Sequence, residues 1–128
     1  MTNILPKVMI VEDDDVIREI YLLKFELEGF PVTAAENGLI ALDQAVDFRP
    51  DIILLDMMMP VMGGLDFMRV WHKASNEKTT VIIFSNISAP KQMHEVLRLG
   101  ASDYWVKSDY TPERVTNEIA KRWQLLKT

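Results

Sequence analysis

Four short apolar runs, each ending abruptly in a polar or charged residue, constrain this chain more than any other feature. Val8-Met9-Ile10-Val11 runs into Glu12-Asp13, Ile52-Ile53-Leu54-Leu55 into Asp56, Val81-Ile82-Ile83-Phe84 into Ser85, and Tyr104-Trp105-Val106 into Lys107. Short continuous apolar runs suit strands covered on both faces, as in a parallel sheet. In open α/β sheets, ligands bind beyond the carboxyl ends of the strands. Neighbouring parallel strands lie about 4.8 Å apart, so an acid pair, a lone aspartate, a hydroxyl and a lysine would converge on one small pocket.

Helix signals fill the intervals between the runs. Val16, Ile20, Leu23 and Leu27 recur at i, i+4, i+7 and i+11 and predict the buried face of an amphipathic helix. Asp14 or Asp15 caps its start and Gly29 closes it. A short strand over Pro31 to Ala35 leads to the turn signal Asn37-Gly38, and Leu39, Leu42 and Val46 predict the apolar face of a second helix, stopped at Arg49-Pro50. Asp51 to Asp56 is a third strand, and Pro60 with Gly63-Gly64 breaks the chain before a helix carrying Leu65, Met68 and Trp71. Thr80 to Phe84 is a fourth strand, followed by a helix from Pro90 with Met93, Val96 and Leu97 that ends at Gly100. Pro112, after Thr111, opens a last helix with Val115, Ile119, Trp123 and Leu126 along one side.

Five such βα units with no long loop or repeat predict a five-stranded doubly wound parallel sheet in a three-layer α/β/α sandwich, order 2-1-3-4-5. That order sets the first strand beside the third and puts Asp13 and Asp56 across the topological switch point. With 128 residues the chain is read as one domain over 1-128, large enough for a single core. Its net charge of −5 lacks the basic footprint of sequence-independent nucleic-acid binding. Zero cysteines exclude disulfides and thiolate metal sites. No apolar run approaches the roughly 20 residues of a membrane span, and the amino-terminal residues carry no signal-peptide pattern. A cytoplasmic location is the expectation.

The acidic cluster divides in two. Asp14 and Asp15 read as carboxylates placed favourably at a helix N-terminus. Glu12 and Asp13 instead end a buried strand facing Asp56, and like charges so close resist ionisation without a counter-cation. A hard divalent ion such as Mg²⁺, which takes one or two carboxylates, a carbonyl, waters and phosphate oxygens, resolves that conflict. Lys107 adds a positive charge for Asp56 or for a phosphoryl group. His72 and His94 read as surface residues, and the eight methionines mostly as core filler, with Met57 to Met59 divided between strand end and loop.

Taken together these residues resemble the receiver domains of two-component response regulators. The resemblance rests on Glu12-Asp13, on Leu54-Leu55-Asp56 followed by Met59-Pro60 and Gly64, on Ser85, on Gly100-Ala101-Ser102-Asp103-Tyr104 and on Lys107. It implies a flavodoxin-like fold and a signalling phosphoacceptor, not a turnover enzyme. Asp56 would accept a phosphoryl group from the phosphohistidine of a sensor histidine kinase or histidine phosphotransfer protein, or from a small acyl phosphate. Asp13, Asp56 and the Met58 backbone carbonyl would hold Mg²⁺, with Glu12 acting through a coordinated water. Ser85 and Lys107 would bind the phosphoryl oxygens, and Tyr104 would swing inward as Ser85 moves. The surface of the fourth helix, fifth strand and fifth helix would then signal to a downstream target or an output domain, or form a dimer. Side chains at Met58 and Ile87 would border the phosphoryl group and modulate its hydrolysis.

Three positions depart from the family pattern. Ser108 follows Lys107 where proline is usual, Asn86 stands where a small residue is usual, and Gly63 replaces a common polar residue. Other functions fit less well. A haloacid-dehalogenase-type phosphatase needs an acid two residues after its nucleophile, where this chain has Met58. A flavodoxin-type electron carrier must cradle phosphate in the first loop, where Glu12 to Asp15 would repel it. A degenerate receiver acting without phosphorylation would not require the acid pair, aspartate, hydroxyl and lysine together.

Overall fold

The computed structural model describes residues 4–73, 78–87 and 89–127. Five strands, β1 (Val8–Val11), β2 (Val32–Ala35), β3 (Ile52–Leu55), β4 (Thr80–Ser85) and β5 (Asp103–Val106), alternate with five helices. These are α1 (Asp15–Leu27), α2 (Gly38–Phe48), α3 (Gly64–Lys73), α4 (Pro90–Arg98) and α5 (Pro112–Lys127). The strands form one parallel sheet in the order β2-β1-β3-β4-β5, as the apolar runs predict.

Because side chains alternate across a strand, each run feeds two cores. Met9, Val11, Ile53, Leu55, Val81 and Ile83 face α2, α3 and α4, where Ala41, Phe67, Met68 and Val96 pack. Val8, Ile10, Ile52, Leu54, Ile82 and Phe84 face α1 and α5, where Tyr21, Phe25, Val115 and Ile119 pack. Both faces of the central strands are therefore covered, and a charged side chain finds room only at a strand end.

Two helices turn a different face inward from the one their apolar periodicity predicts. In α1, Val16 is 69% exposed and Leu27 83%, with Ile20 and Leu23 also exposed. The buried stripe is Ile17, Tyr21 and Phe25, one position round the helix. Aromatic rings carry the larger apolar payload: Tyr21 meets Phe84 edge-on at 5.3 Å and Phe25 meets Phe30 at 4.9 Å. In α2, Leu39 and Val46 are exposed and Leu42 is half-buried, whereas Gly38, Ala41 and Ala45 face inward. Small residues allow the close approach there: a Cβ on Gly38 would lie 2.8 Å from Met62 Cγ. In α4, Val96 is core, Met93 half-buried and Leu97 exposed. In α5, Val115 and Ile119 are core and Trp123 half-buried, its indole N–H donating to the Ile4 carbonyl at 2.9 Å. The side chain of Leu126 lies outside the described residues.

The helix ends follow local chemistry. Asp14 caps α1 by accepting the Ile17 N–H at 2.9 Å, and Gly29 follows the helix with a φ of +87°. Asn37 is the N-cap of α2 rather than part of a reversing turn, accepting the Ile40 N–H at 2.9 Å. Thr111 accepts the Arg114 N–H at 3.1 Å, and Pro90 and Pro112 occupy first-turn positions. Among the described residues, no helix is long and apolar enough to cross a membrane.

Candidate functional site

The register brings the strand ends together. Val11 pairs with Leu55, so Glu12 and Asp13 leave β1 beside Asp56, whose N–H donates to the Val11 carbonyl at 3.0 Å. Ser85 pairs with Val106, which places Lys107 one step beyond β5. Glu12 is 3% exposed, Asp56 6% and Ser85 1%, while Asp13 is exposed. Carboxylate oxygens of Glu12, Asp13 and Asp56 lie within 4.8 Å of one another.

Lys107 closes this acidic cluster from the β5 side. Its Nζ lies 3.1 Å from Asp56 Oδ2 and forms an ion pair with Glu12 Oε1. Burial works against the lysine charge, but the two carboxylates outweigh it and raise the Lys107 pKa. Burial pushes Glu12 up to about 7, and the Asp56 charge adds to the rise, while hydrogen bonds from Lys107 and the Asp14 backbone oppose it. One ammonium thus leaves three clustered carboxylates under-compensated. Two buried acids, one exposed acid and open space beside Asp13 form a hard-oxygen donor set that fits a divalent cation.

The remaining expected residues surround the cluster. Asp56 Oδ1 accepts the Met57 N–H at 2.8 Å, leaving Oδ2 toward Lys107. The whole Met57 to Met59 run lies beyond β3, so none of it is strand: Met57 is core, Met59 half-buried and Met58 65% exposed. Asp13, Met58, Pro60 and Asp66 line an open cleft of about 590 Å³. Ser85 Oγ accepts the Ile87 N–H at 3.3 Å, and the Tyr104 hydroxyl donates to the Ile87 carbonyl. Tyr104 is half-buried against the α2–α4 core, its pKa raised by burial against an opposing hydrogen bond with Ser85. Ile87 also packs against that core, so Met58 is the apolar side chain at the mouth. His72 and His94 are exposed, as expected.

Glycine allows the backbone to close around Asp56. A Cβ on Gly64 would fall 2.5 Å from the Asp56 carbonyl, and one on Gly63 would fall 2.8 Å from the Met57 carbonyl. Gly63 therefore fits a loop drawn tightly over the strand end. Between Pro60 and Met62 the loop makes a γ-turn: Met62 N–H donates to the Pro60 carbonyl at 2.7 Å, with Val61 at a φ of 68°. Positive φ is strained for a β-branched residue.

Two contacts escape sequence reasoning. Arg18 donates through Nη1 to the carbonyls of Glu12 at 2.9 Å and Asp13 at 3.3 Å, holding the acid loop from below. Its only signal is a basic residue within one turn of the acidic run. Asn86 Oδ1 accepts the Ser108 N–H at 3.0 Å. The Lys107–Ser108 peptide is trans, and among the described residues no peptide is cis.

Comparison with known proteins agrees with this geometry. The family model of the response regulator receiver domain matches residues 8–120. Sporulation initiation phosphotransferase F of Bacillus subtilis is 36% identical over 101 residues, a match covering 79% of this chain and 81% of that protein. Transcriptional regulatory protein CseB of Streptomyces coelicolor is 43% identical over 103 residues, covering 78% of this chain. The chain spans less than half the length of several curated relatives, 42% of CseB and 22% of the Escherichia coli regulatory protein AtoC. The structure of Vibrio cholerae chemotaxis protein CheY4 superposes with a TM-score of 0.82 at 28% identity, covering 91% of this chain and 98% of that one. A strand-end acid cluster closed by a lysine, on a sheet of this order and with this family match, makes the chain a member of the response regulator receiver domain family of two-component signalling.

Proposed function

We propose that Asp56 is the phosphoacceptor of this receiver and that residues 1–128 act as one receiver domain. The observation that carries the reading is the buried Asp56 carboxylate, with Lys107 Nζ 3.1 Å from Oδ2 and the carboxylates of Glu12 and Asp13 beside it. A carboxylate oxygen of Asp56 attacks the phosphorus of a phosphohistidine on a sensor kinase or phosphotransfer protein, or of a small acyl phosphate. As the new O–P bond forms, the P–N or P–O bond of the donor breaks and its electron pair leaves with the donor.

Asp13, Asp56 and the Met58 carbonyl would hold Mg²⁺, with Glu12 contributing through a coordinated water. When bound, the ion supplies electrostatic neutralisation of charge on the transferring oxygens. The chain's own groups do the rest. Lys107 leaves its carboxylate partners for a phosphoryl oxygen, and the Ser85 hydroxyl donates to another. Moving Ser85 changes the environment of Tyr104, because both bond Ile87: Ser85 Oγ accepts its N–H and the Tyr104 hydroxyl donates to its carbonyl. The α4–β5–α5 surface would carry that change to a downstream partner, an output domain or a second copy. The chain would work as a cytoplasmic signalling phosphoacceptor, with slow loss of phosphate, rather than as a turnover enzyme.

Incubation with acetyl phosphate followed by intact-mass measurement tests this reading. One added phosphoryl group is expected with Mg²⁺ and none after chelation, in Asp56→Asn, or in Asp13→Ala. Labelling of Asp56→Asn at the wild-type level would remove Asp56 from the mechanism.

A further inference from the structure

The loops after β4 and β5 each deliver one proposed phosphoryl contact, Ser85 and Lys107, and a hydrogen bond joins them. Asn86 follows Ser85 and Ser108 follows Lys107. The Ser108 N–H donates to Asn86 Oδ1 at 3.0 Å. Two of the chain's departures from the family pattern therefore meet each other. Proline at 108 would have no N–H to donate, and a small apolar residue at 86 would have no oxygen to accept it.

We propose that Asn86 is a positioning residue that clasps the Ser85 loop to the Lys107 loop, so that both proposed phosphoryl contacts move as one unit. This inference rests on the phosphoacceptor reading above. The β4–β5 ladder, with Ser85 paired to Val106, and the Tyr104 hydroxyl donating to the Ile87 carbonyl also join the two segments, but neither reaches past β5 to Ser108, where Asn86 makes its bond. A single 3₁₀ turn over Lys107–Asp109 follows β5, closed by the Tyr110 N–H on the Lys107 carbonyl at 3.1 Å. That turn leaves the Ser108 N–H available to Asn86. In the other loop, Ser85 Oγ accepts the Ile87 N–H and the Tyr104 hydroxyl donates to the Ile87 carbonyl, so Asn86 sits between two anchored neighbours. Lysine reaches Asp56 on a flexible four-carbon stem; fixing the backbone at its root narrows the volume its ammonium explores. Any displacement of Ser85 toward a phosphoryl group pulls Ser108, and with it Lys107, in the same motion.

The bond is exposed and competes with water, so losing it should change phosphoryl-analogue affinity by about three- to tenfold. Asn86→Leu keeps side-chain bulk and removes the acceptor, whereas Asn86→Asp keeps an acceptor. Three quantities are read: Ser108 amide hydrogen exchange, the Kd for Mg²⁺, and the Kd for beryllofluoride at saturating Mg²⁺. Asn86→Leu is expected to speed Ser108 exchange and raise the beryllofluoride Kd about three- to tenfold, with the Mg²⁺ Kd unchanged. Asn86→Asp is expected to restore slow exchange, and Asn86→Leu to have no further effect on beryllofluoride affinity in a Ser108→Pro background. Equal Ser108 exchange in wild type and Asn86→Leu overturns the clasp, and a matching rise in the Mg²⁺ Kd overturns the positioning role in favour of general loop damage. A wild-type protein with a protected Ser108 amide that binds no beryllofluoride overturns the phosphoacceptor reading, and the function of the clasp with it.

Discussion

Binding of Mg²⁺ should be coupled to a proton on Glu12, and the structure sets the size of the effect. Glu12 is 3% exposed and burial pushes its pKa up to about 7 in the metal-free protein. A divalent ion requires the ionised carboxylate, so the proton and the ion compete. Apparent affinity then falls by a factor of 1 + 10^(7−pH), which is about 1.1 at pH 8, about 2 at pH 7 and about 11 at pH 6. The direction follows from the raised pKa: metal-free folded protein gains a proton as pH drops through 7, and that proton must leave before the ion binds. Calorimetric titration at the three pH values, in buffers of different ionisation enthalpy, reads both affinity and proton release. The expected result is an affinity loss of about tenfold from pH 8 to pH 6, with release rising to about one proton per ion. Glu12→Gln should flatten the profile. Affinity independent of pH in wild type, or an unchanged slope in Glu12→Gln, would refute the reasoning.

Without metal, stability gained from protonated Glu12 is fully present below pH 4.5 and lost as pH rises toward 7; denaturant titrations should show the decline in wild type and not in Glu12→Gln. Removing a hydrogen bond without removing the ring, Tyr104→Phe frees the Ile87 carbonyl, and should lower stability by about 1 kcal/mol in a chevron or equilibrium denaturation series. Trp71 stacks on Phe67 at 5.4 Å and its buried indole N–H has no hydrogen-bond partner among the described residues; Trp71→Phe should therefore cost less than about 1.5 kcal/mol, against about 3–5 for Trp71→Ala. Met58 is the exposed apolar side chain at the cleft, so Met58→Asn should speed loss of phosphate after donor removal by up to about tenfold, or ~1.4 kcal/mol of barrier. Because Ile87 packs inward, Ile87→Glu should add little to that acceleration while reducing stability.

The legible parts of this molecule were those set by strand chemistry. A continuous apolar run has few places to go except a sheet covered on both faces, and the first charged residue after it must sit at the sheet's edge. That logic locates Glu12, Asp56, Ser85 and Lys107 without any long-range information. Helix rotation was less legible. Val16, Ile20, Leu23 and Leu27 fit helical spacing as well as Ile17, Tyr21 and Phe25 do, and what decides between them is the fit of two aromatic rings against Phe84 and Phe30. In α2 the larger aliphatic residues lie outward because Gly38, Ala41 and Ala45 let the helix sit close to the sheet and to Met62. Such choices depend on partners distant in sequence. The same is true of the Asn86–Ser108 bond: each residue alone departs from the family pattern, and only proximity across 22 positions shows that they satisfy one another. Arg18 was missed because, beside its i,i+3 ion pair with Asp15, the contacts that hold the acid loop are to backbone carbonyls, which any sequence supplies.

Asp56 as the acceptor is the central claim, and chemical trapping tests it most directly. Phosphorylation with acetyl phosphate and Mg²⁺, reduction of the acyl phosphate with borohydride, and peptide sequencing by mass spectrometry report the modified carboxyl itself. Conversion of Asp56 to homoserine, with Glu12 and Asp13 unmodified, is the expected result. Trapping at Asp13 or any other carboxylate while Asp56 remains unreduced would contradict it.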